Sequence, residues 1–318
     1  MLQDLRHALR TLVKSPGFAA AAIATLALGI GANTAIFAVV DAVLLRPLPY
    51  ERAGALVLAQ TIQSESRQPW ATAPPDFYEL RRRNRTLEGL ASFYVRPVNL
   101  TGSDEPERVA ALVVSSGFFA VLGRQPLLGR GLAIADEQWG AHRVAILSDG
   151  LWRRRFGADP GILGRPIQVD GVPHIVAGVL PPRFSFGSSG AQLFLPMAFA
   201  PGDNLNTHNN YFLSMIGRPK PGISRARALA DLNAIMRDIE REHPENRGLT
   251  LELTPLQDSI VQAARPAILV LMGAVAFVLL IACGNLANLL LAHAIGRRRE
   301  VAIRAALAPA VRGSSGSF

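Results

Sequence analysis

The chain has 318 residues, 49% of them hydrophobic, and a formal net charge of +9 at pH 7. A strongly basic chain raises the question of nucleic-acid binding, which requires basic groups gathered on one face of a domain. Residues 46–266 hold 25 basic and 21 acidic side chains, so the long middle of the chain is nearly balanced. The charge pattern excludes a concentrated basic domain, and we expect no nucleic-acid partner.

The first predicted element is a short cytoplasmic amphipathic helix at residues 1–14. Its leucines recur at helical spacing, with Arg6 and Arg10 between them and Lys14 after them. This pattern is typical of a helix that lies on a membrane surface and contacts lipid.

Two uncharged apolar stretches, Ser15 to Val40 and Ala267 to Ile295, lie near the two ends of the chain. At a rise of about 1.5 Å per residue, either helix would exceed the ~30 Å hydrocarbon thickness of a bilayer. We predict one transmembrane helix within residues 15–45 and a second at residues 267–295. A cleaved signal peptide is the competing interpretation of the first stretch, but its 26 uncharged residues exceed the roughly 7–15 of a signal-peptide core.

Basic residues flank both predicted spans on the side that faces the chain terminus. Arg6, Arg10 and Lys14 precede the first, and the run from Arg297 to Arg299 follows the second. Short basic flanks tend to remain in the cytoplasm, whereas long segments cross largely regardless of charge. We therefore expect both termini to be cytoplasmic and residues 46–265 to form an extracytoplasmic domain.

Small and amide residues within the spans predict contacts with other helices. Gly29 and Gly31 allow close helix packing. Asn33 either bonds across a helix interface or is satisfied by its own helix backbone. Asn285 and Asn288 share one helix face, which either packs on another helix or a second copy of this chain, or lies near enough to the interface to reach water.

The middle segment mixes short apolar runs with helical repeats, which favours the α+β class. Strands are predicted at residues 55–59, 109–114, 144–147, 193–195, 211–216 and 249–253, and helices at 74–83, 117–122, 151–156 and 223–242. Asp170-Gly171 joins two further strand-like runs and predicts a type I′ hairpin. The stretch 184–210 either separates two subdomains or forms one long loop. The predicted fold is thus two transmembrane helices flanking a large mixed α/β domain of two subdomains.

Motifs for enzyme chemistry are absent from the sequence. The histidines have no metal-ligand spacing, the only cysteine is Cys283, and neither a Walker-type phosphate loop nor a Gly-x-Ser-x-Gly elbow occurs. Ser148 and Asp149 precede a helical run and are interpreted as a helix cap rather than a nucleophile. We expect no catalytic residue, no cofactor, no metal site and no enzymatic activity.

The segment after the second span alternates basic groups with apolar ones. Arg297, Arg298, Arg299, Glu300 and Arg304 lie around a stripe that includes Ile303. This pattern favours a short cytoplasmic helix that docks on a partner or on lipid headgroups.

Several phrases together resemble the MacB/FtsX-type ABC transporter permeases. They are DLR at residues 4–6, LRPLPY at 45–50, GFF at 117–119, LSDGLW at 147–152, VDG at 169–171 and LIACGNLANLLL at 280–291. The beginning of the chain is similar to the large duplicated subgroup of these permeases found in acidobacteria.

This resemblance implies a two-lobed periplasmic core domain, a multi-pass protein of the bacterial inner membrane and dependence on a separate ABC ATPase. The residues matching the family's coupling element, which would contact that ATPase, are Arg297, Arg298, Arg299, Glu300, Ile303 and Arg304. The implied function is that of a permease subunit, or a fragment of one, in an export or mechanotransmission system. A homodimer or another permease subunit would complete the membrane helices.

One departure from the family concerns the C-terminus. Family members continue after the coupling helix into further spans, whereas residues 308–318 are short and rich in Gly and Ser. We therefore expect a C-terminally truncated chain. The alternative function is a membrane-anchored extracytoplasmic sensor or ligand-binding module, since two spans around an outer domain also describe receptors.

Overall fold

The structure, a computed structural model, describes residues 16–40, 48–102, 105–187 and 189–306. The amphipathic helix predicted at residues 1–14 lies outside these ranges, as do residues 307–318. The chain divides into two compact units, one formed by residues 47–262 and the other by residues 1–46 with 263–318.

The described residues form six α-helices and eleven β-strands. The helices are α1 (Pro16–Val40), α2 (Pro74–Arg83), α3 (Phe118–Leu122), α4 (Asp149–Phe156), α5 (Arg225–Glu242) and α6 (Leu256–Ala306). The strands are β1 (Val57–Gln63), β2 (Pro69–Trp70), β3 (Leu87–Thr101), β4 (Glu107–Val114), β5 (Leu128–Gly129), β6 (Val144–Leu147), β7 (Pro166–Val169), β8 (Val172–Val179), β9 (Leu193–Pro196), β10 (Ser214–Pro219) and β11 (Leu249–Pro255).

All of these strands belong to one mixed sheet. Its order is β11-β1-β10-β3-β4-β9-β6-β8-β5, with β2 beside β1 and β7 beside β3 and β8. The long strand β3 joins two strand groups, because residues 87–93 pair with β10 and residues 93–100 pair with β4. The expected two subdomains are therefore two groups of strands in one continuous sheet, within one compact unit. We call them the first group (β1, β2, β10, β11) and the second group (β4 to β9).

The stretch 184–210 does not act as a simple boundary. Strand β9 lies inside it and pairs with β4 and β6 in the second group. Residues 197–213 then carry the chain back to β10 in the first group, with a single bridge between Leu213 and Thr72. The strand predicted at 211–216 accordingly begins only at Ser214.

The sequence prediction missed β3, the strand at the centre of the domain. Its middle carries Arg96 and Pro97, and residues 95–97 are exposed. Proline cannot donate to a sheet ladder and is tolerated where one strand side is free. Around Pro97 the described pairing is with β4 alone, since β7 joins the other side only from Leu100.

Helices α4 and α5 each begin after a serine that caps the first turn. The Ser148 hydroxyl accepts the Leu151 N–H at 3.2 Å, and the Ser224 hydroxyl accepts the Arg227 N–H at 3.2 Å. Each bond satisfies a backbone donor that the first turn leaves free. Both serines therefore cap their helices, and the cap predicted at Ser148 is confirmed.

Buried side chains form two clusters on opposite faces of the sheet. Along β4, Ala111 and Val113 belong to the first cluster, whereas Leu112 and Val114 belong to the second. Alternate residues of a strand point to opposite faces. The first cluster includes side chains of α2, α4 and α5, and the second is built around the phenylalanines of α3.

The terminal unit contains α1 and most of α6. Helix α6 runs from Leu256 to Ala306 without a break, with Pro266 inside it. The segment expected as a separate short helix after residue 296 is thus a continuation of the same helix. Among the described residues, one segment, Arg265–Asn285, is long and apolar enough to cross a membrane, and α1 holds a shorter apolar run, Gly29–Ala38. The two predicted crossings remain predictions.

The hairpin between β7 and β8 offers a test of local backbone strain. Asp170 has φ +50° and Gly171 has φ +77°, as a type I′ turn requires, and nothing lies near a Cβ built on Gly171. We expect Gly171→Ala to lower the free energy of unfolding by about 1–2 kcal/mol, because only the left-handed conformation is penalised. Denaturant unfolding followed by tryptophan fluorescence measures this value.

The matched control is Gly150→Ala. Gly150 lies in the first turn of α4 without a left-handed φ and also has open space around it. This variant should leave stability unchanged or slightly higher. An equal loss of unfolding free energy in both variants would contradict the claim that the left-handed conformation of Gly171 causes the loss.

Candidate functional site where the chain enters and leaves the domain

The chain enters and leaves the domain on neighbouring strands. Strands β1 and β11 pair antiparallel along their full length, with Val57 opposite Pro255 and Gln63 opposite Leu249. The Leu256 N–H also donates to the Leu56 carbonyl at 2.9 Å. The start of β1 and the end of β11 therefore lie side by side. We call residues 48–56 the entry segment and residues 256–262 the exit segment.

A buried arginine holds the entry segment from within the sheet. Arg218, on β10, is 3% exposed. Its Nε and Nη2 atoms donate to the Val121 carbonyl at 3.1 and 2.7 Å. Its Nη2 also donates to the Glu51 carbonyl at 2.7 Å, and Nη1 donates to the Arg52 carbonyl at 3.2 Å. We call these contacts the carbonyl clamp.

The buried positive charge of Arg218 is bonded to backbone carbonyls and not to a carboxylate. No carboxylate forms an ion pair with Arg218 among the described residues. Burial lowers the pKa of Arg218, and the nearby Arg52 lowers it further. Burying an unpaired cation is costly unless hydrogen bonds replace its water shell. Three backbone carbonyls supply that replacement, one of them in the last turn of α3, where carbonyl oxygens carry partial negative charge.

A glycine allows the entry segment to approach the end of α3. Gly123 ends that helix with φ +65°, and a Cβ added there would lie 2.4 Å from the Cβ of Glu51. The Glu51 N–H donates to the Leu122 carbonyl at 3.2 Å, and Arg124 Nε donates to the Pro49 carbonyl at 2.7 Å. Glu51 therefore packs directly against the backbone at the end of α3.

An aromatic anchor fixes the start of the entry segment. The Tyr50 hydroxyl donates to the Ser185 carbonyl at 2.7 Å, and its ring packs near Phe184 and Phe186 at centroid distances of 6.5 and 6.3 Å. Burial raises the pKa of Tyr50 to about 12, so the phenol remains a neutral donor at physiological pH. The entry segment is thereby attached to the second hydrophobic cluster.

A cavity of about 350 Å³ lies beside the clamp. The Arg52–Glu88 ion pair, with a 2.9 Å N···O distance, forms part of its wall, together with Glu51 and Arg218. Arg52 adopts φ +44°, a conformation that is strained for a side chain larger than glycine. Charges of both signs thus face the cavity.

A second polar cluster connects Asp76 of α2 with residues that precede β10 and follow α5. His208 Nδ1 donates to Asp76 Oδ1 at 2.5 Å, and the Asn246 amide donates to the same oxygen at 2.9 Å. The Tyr211 hydroxyl donates to Asn246 at 2.8 Å, and the His208 and His243 rings stack with centroids 3.5 Å apart. Burial raises the pKa of Asp76 despite these donors.

This cluster joins three elements of the domain. It connects the first turn of α2, the returning segment 197–213 and the turn after α5. In the part of the chain that the structure describes, no hydroxyl or thiol bonds to His208, and no group of three or more His, Cys, Asp or Glu side chains could hold a metal ion.

The residues expected to pack in the membrane lie on α1 and α6. Gly29 is buried, whereas Gly31 is exposed and has open space around it. The Asn33 amide donates to the Gly29 carbonyl of its own helix at 3.2 Å, which is the local alternative for this residue. Asn285 and Asn288 are exposed. The six candidate ATPase-contact residues, Arg297 to Glu300, Ile303 and Arg304, lie in the helical backbone of α6.

The sequence analysis did not predict the clamp, nor the ion pairs made by the arginine runs at residues 81–83 and 153–155. Arg81 forms a bidentate ion pair with Glu137, whose side chain is 7% exposed, and both N···O distances are 2.7 Å. The side chain of Arg155 is only 9% exposed and pairs with Glu107. The available signal for the clamp was Arg218 itself, an arginine within the apolar run of β10.

The close approach at Gly123 generates a stability prediction. Gly123→Ala should lower the free energy of unfolding by about 2–5 kcal/mol, because left-handed strain of about 1–2 kcal/mol is joined by overpacking of about 1–3 kcal/mol. The measurement is denaturant unfolding of the purified chain.

Gly157→Ala is the matched control. Gly157 also ends a helix in the left-handed region, with φ +60°, but nothing lies within 4 Å of its added Cβ. Gly157→Ala should therefore lower the free energy of unfolding only by the left-handed strain of about 1–2 kcal/mol. Equal losses in the two variants would show that the entry segment yields to the added methyl group.

Comparison with known proteins places the chain in a family. The family model for the MacB-like periplasmic core domain matches residues 19–235. A macrolide export ATP-binding/permease protein MacB from Burkholderia thailandensis is 28% identical over 205 residues, covering 63% of this chain and 30% of that protein. The corresponding protein of Burkholderia pseudomallei is 29% identical over 206 residues, again 63% and 30%. The chain thus spans about 30% of the length of these relatives.

A solved structure shares the fold. A domain of a permease protein from Porphyromonas gingivalis superposes with a TM-score of 0.50 at 16% identity, covering 65% of this chain and 92% of that domain. The family model covers more than half of the chain, and its match includes the entry segment, α2, β3 and most of α5. The chain belongs to the family of MacB-like periplasmic core domains found in ABC transporter permeases.

Proposed function

We propose that this chain is a permease component of an ABC-type export or mechanotransmission system, which performs no catalysis itself and depends on a separate ATPase. The observation that carries the proposal is the pairing of β1 with β11 in a domain of this family. That pairing brings the two chain connections of the domain to one place, where a relative movement of two membrane helices would act on adjacent strands.

The proposed topology places α1 and α6 across the bacterial inner membrane. Both termini would be cytoplasmic and the domain of residues 47–262 periplasmic. The basic flanks of both apolar stretches support this orientation. The side-by-side entry and exit segments support it as well, because two crossings of one membrane require both connections to leave the domain toward the same surface.

The proposed mechanism is mechanical. Neighbouring antiparallel strands are held by a ladder of backbone hydrogen bonds. A displacement of α6 would pull on β11 along its direction, and the ladder would pass the load to β1 and then to β10 and β3. The domain would therefore respond to changes in helix arrangement that ATP hydrolysis produces elsewhere.

The proposed partner contacts lie on the two membrane helices α1 and α6. Arg297, Arg298, Arg299, Glu300, Ile303 and Arg304 would contact the ATPase subunit. Gly29, Gly31, Asn33, Asn285 and Asn288 would pack on another permease subunit, a second copy of the chain or lipid. Small residues permit close helix approach, and an amide facing lipid gains most from a partner.

Topology can be tested with single cysteines. Because Cys283 is the only native cysteine, Cys283→Ser gives a background for Ser64→Cys in the domain and Ala302→Cys near the end of α6. In intact cells with a permeable outer membrane, a membrane-impermeant maleimide should label the first variant but not the second. Labelling of both positions, or of Ala302→Cys alone, would contradict the topology.

Partner contact is tested by co-purification with candidate ABC ATPase subunits of the host. Combined alanine substitutions of Arg298, Glu300 and Arg304 should reduce recovery of the ATPase at least tenfold, since two charged donors and an acceptor are removed from the contact. The control combines alanine substitutions of Arg225, Arg227 and Glu242, which are exposed on α5.

Equal recovery with both triple variants would overturn the contact assignment. A ligand-dependent thermal shift in a chain that binds no ATPase would favour the sensor function instead.

A further inference from the structure

We propose that Arg218 is a positioning residue that makes the entry segment move with the sheet, so that displacement of the first membrane connection reaches both strand groups. The mechanical consequence rests on the proposed function. The local claim, that one side chain fixes the entry backbone, stands on the geometry of the clamp alone.

The position of Arg218 makes it a junction of three elements. Its strand, β10, lies between β1 and β3 in the sheet. Its guanidinium reaches the last turn of α3, which packs in the second hydrophobic cluster, and the backbone of the entry segment at Glu51 and Arg52. One rigid planar group therefore connects the first strand group, α3 and the entry segment.

The other contacts of the entry segment reach different parts of the domain. Tyr50 bonds to Ser185, Arg124 bonds to Pro49, and Glu51 bonds to Leu122. Ser185 lies between β8 and β9 of the second group, and Leu122 and Arg124 lie at the end of α3 or directly after it. The other described bonds from the entry segment to the rest of the domain are the backbone bond of Leu56 with Leu256, the exposed ion pair of Arg52 with Glu88 on β3, and the bonds of Arg218 on β10. Of these side-chain bonds, those of Arg218 alone come from a strand of the first group.

The chemistry of the clamp selects arginine. A guanidinium presents five donors in a fixed fork, whereas a lysine ammonium is a compact charge with three donors. Here Nε, Nη1 and Nη2 all donate, and they reach three separate carbonyls. Because every acceptor is a backbone carbonyl, the bonds fix the course of the main chain rather than the rotamer of a partner side chain.

Arg155 shows the contrasting arrangement. Its buried side chain pairs with the Glu107 carboxylate and also donates to the Glu105 carbonyl, and these contacts join α4 to the start of β4. It is a largely buried arginine of the same domain, and none of its described bonds reaches the entry segment. It therefore provides the matched control for loss of a buried guanidinium.

The local claim is tested by hydrogen exchange with mass spectrometry on the full chain in detergent. In Arg218→Met, the amides of Glu51, Ala55 and Leu56, which bond to carbonyls within or beside the entry segment, should exchange at least tenfold faster than in the wild type. Arg218→Lys should give a smaller increase at the same amides. Arg155→Met should leave them unchanged relative to the rest of the domain.

Two results would overturn the local claim. One is unchanged exchange at residues 50–56 in Arg218→Met. The other is a uniform increase across the domain that matches Arg155→Met, which would indicate a general stabilising role. If Arg218→Met does not fold, the same exchange measurement is made on Arg218→Lys. Lysine retains the positive charge but lacks the planar fork of donors.

The mechanical consequence is tested in the reconstituted complex with the ATPase. Wild-type complex should show an ATP-dependent change in exchange in the domain, and Arg218→Lys should keep ATPase binding while losing at least half of that change. An identical change in Arg218→Lys would overturn the inference. Absence of any ATP-dependent change in the wild type would count against the proposed function instead, whatever the local result.

Discussion

The antiparallel pairing of β1 with β11 is the constraint on which the rest of the domain depends. These strands are the first long strand and the last strand of residues 47–262, so their ladder closes the domain between its two chain connections. Because Val57 lies opposite Pro255, the entry segment ends and the exit segment begins at the same end of one strand pair. Every other strand is inserted between these two in sequence, and the load path of the proposed permease begins here.

The entry segment shows how a buried charge can organise a backbone. Arg218 gives up its hydration and is satisfied only if Val121, Glu51 and Arg52 present their carbonyls together. Gly123 removes the side chain that would prevent this approach. The clamp and the glycine are therefore two parts of one requirement, since the hydrogen bonds need the close contact and the close contact needs the missing Cβ.

Local chemistry explains which elements sequence reasoning could predict. Helix α2 was predicted with its observed bounds because Pro74 suits a first turn and Asp76 and the arginines suit its two ends. The Asp170-Gly171 hairpin followed from the turn residues alone. Strand β3 was missed because Arg96 and Pro97 resemble a loop, and only the pairing with β4 gives them a place in a sheet.

The sequence by itself determined the apolar end segments, the mixed α/β class, the caps and the family resemblance, because each depends on residues close together in the chain. The tertiary structure alone decided the candidate site. Arg218 lies 97 residues from Val121 and 167 from Glu51, and no local pattern records which carbonyls a cation will meet. The same holds for the meeting of β1 with β11, since strand partners are chosen by packing and ladder bonds across the whole domain.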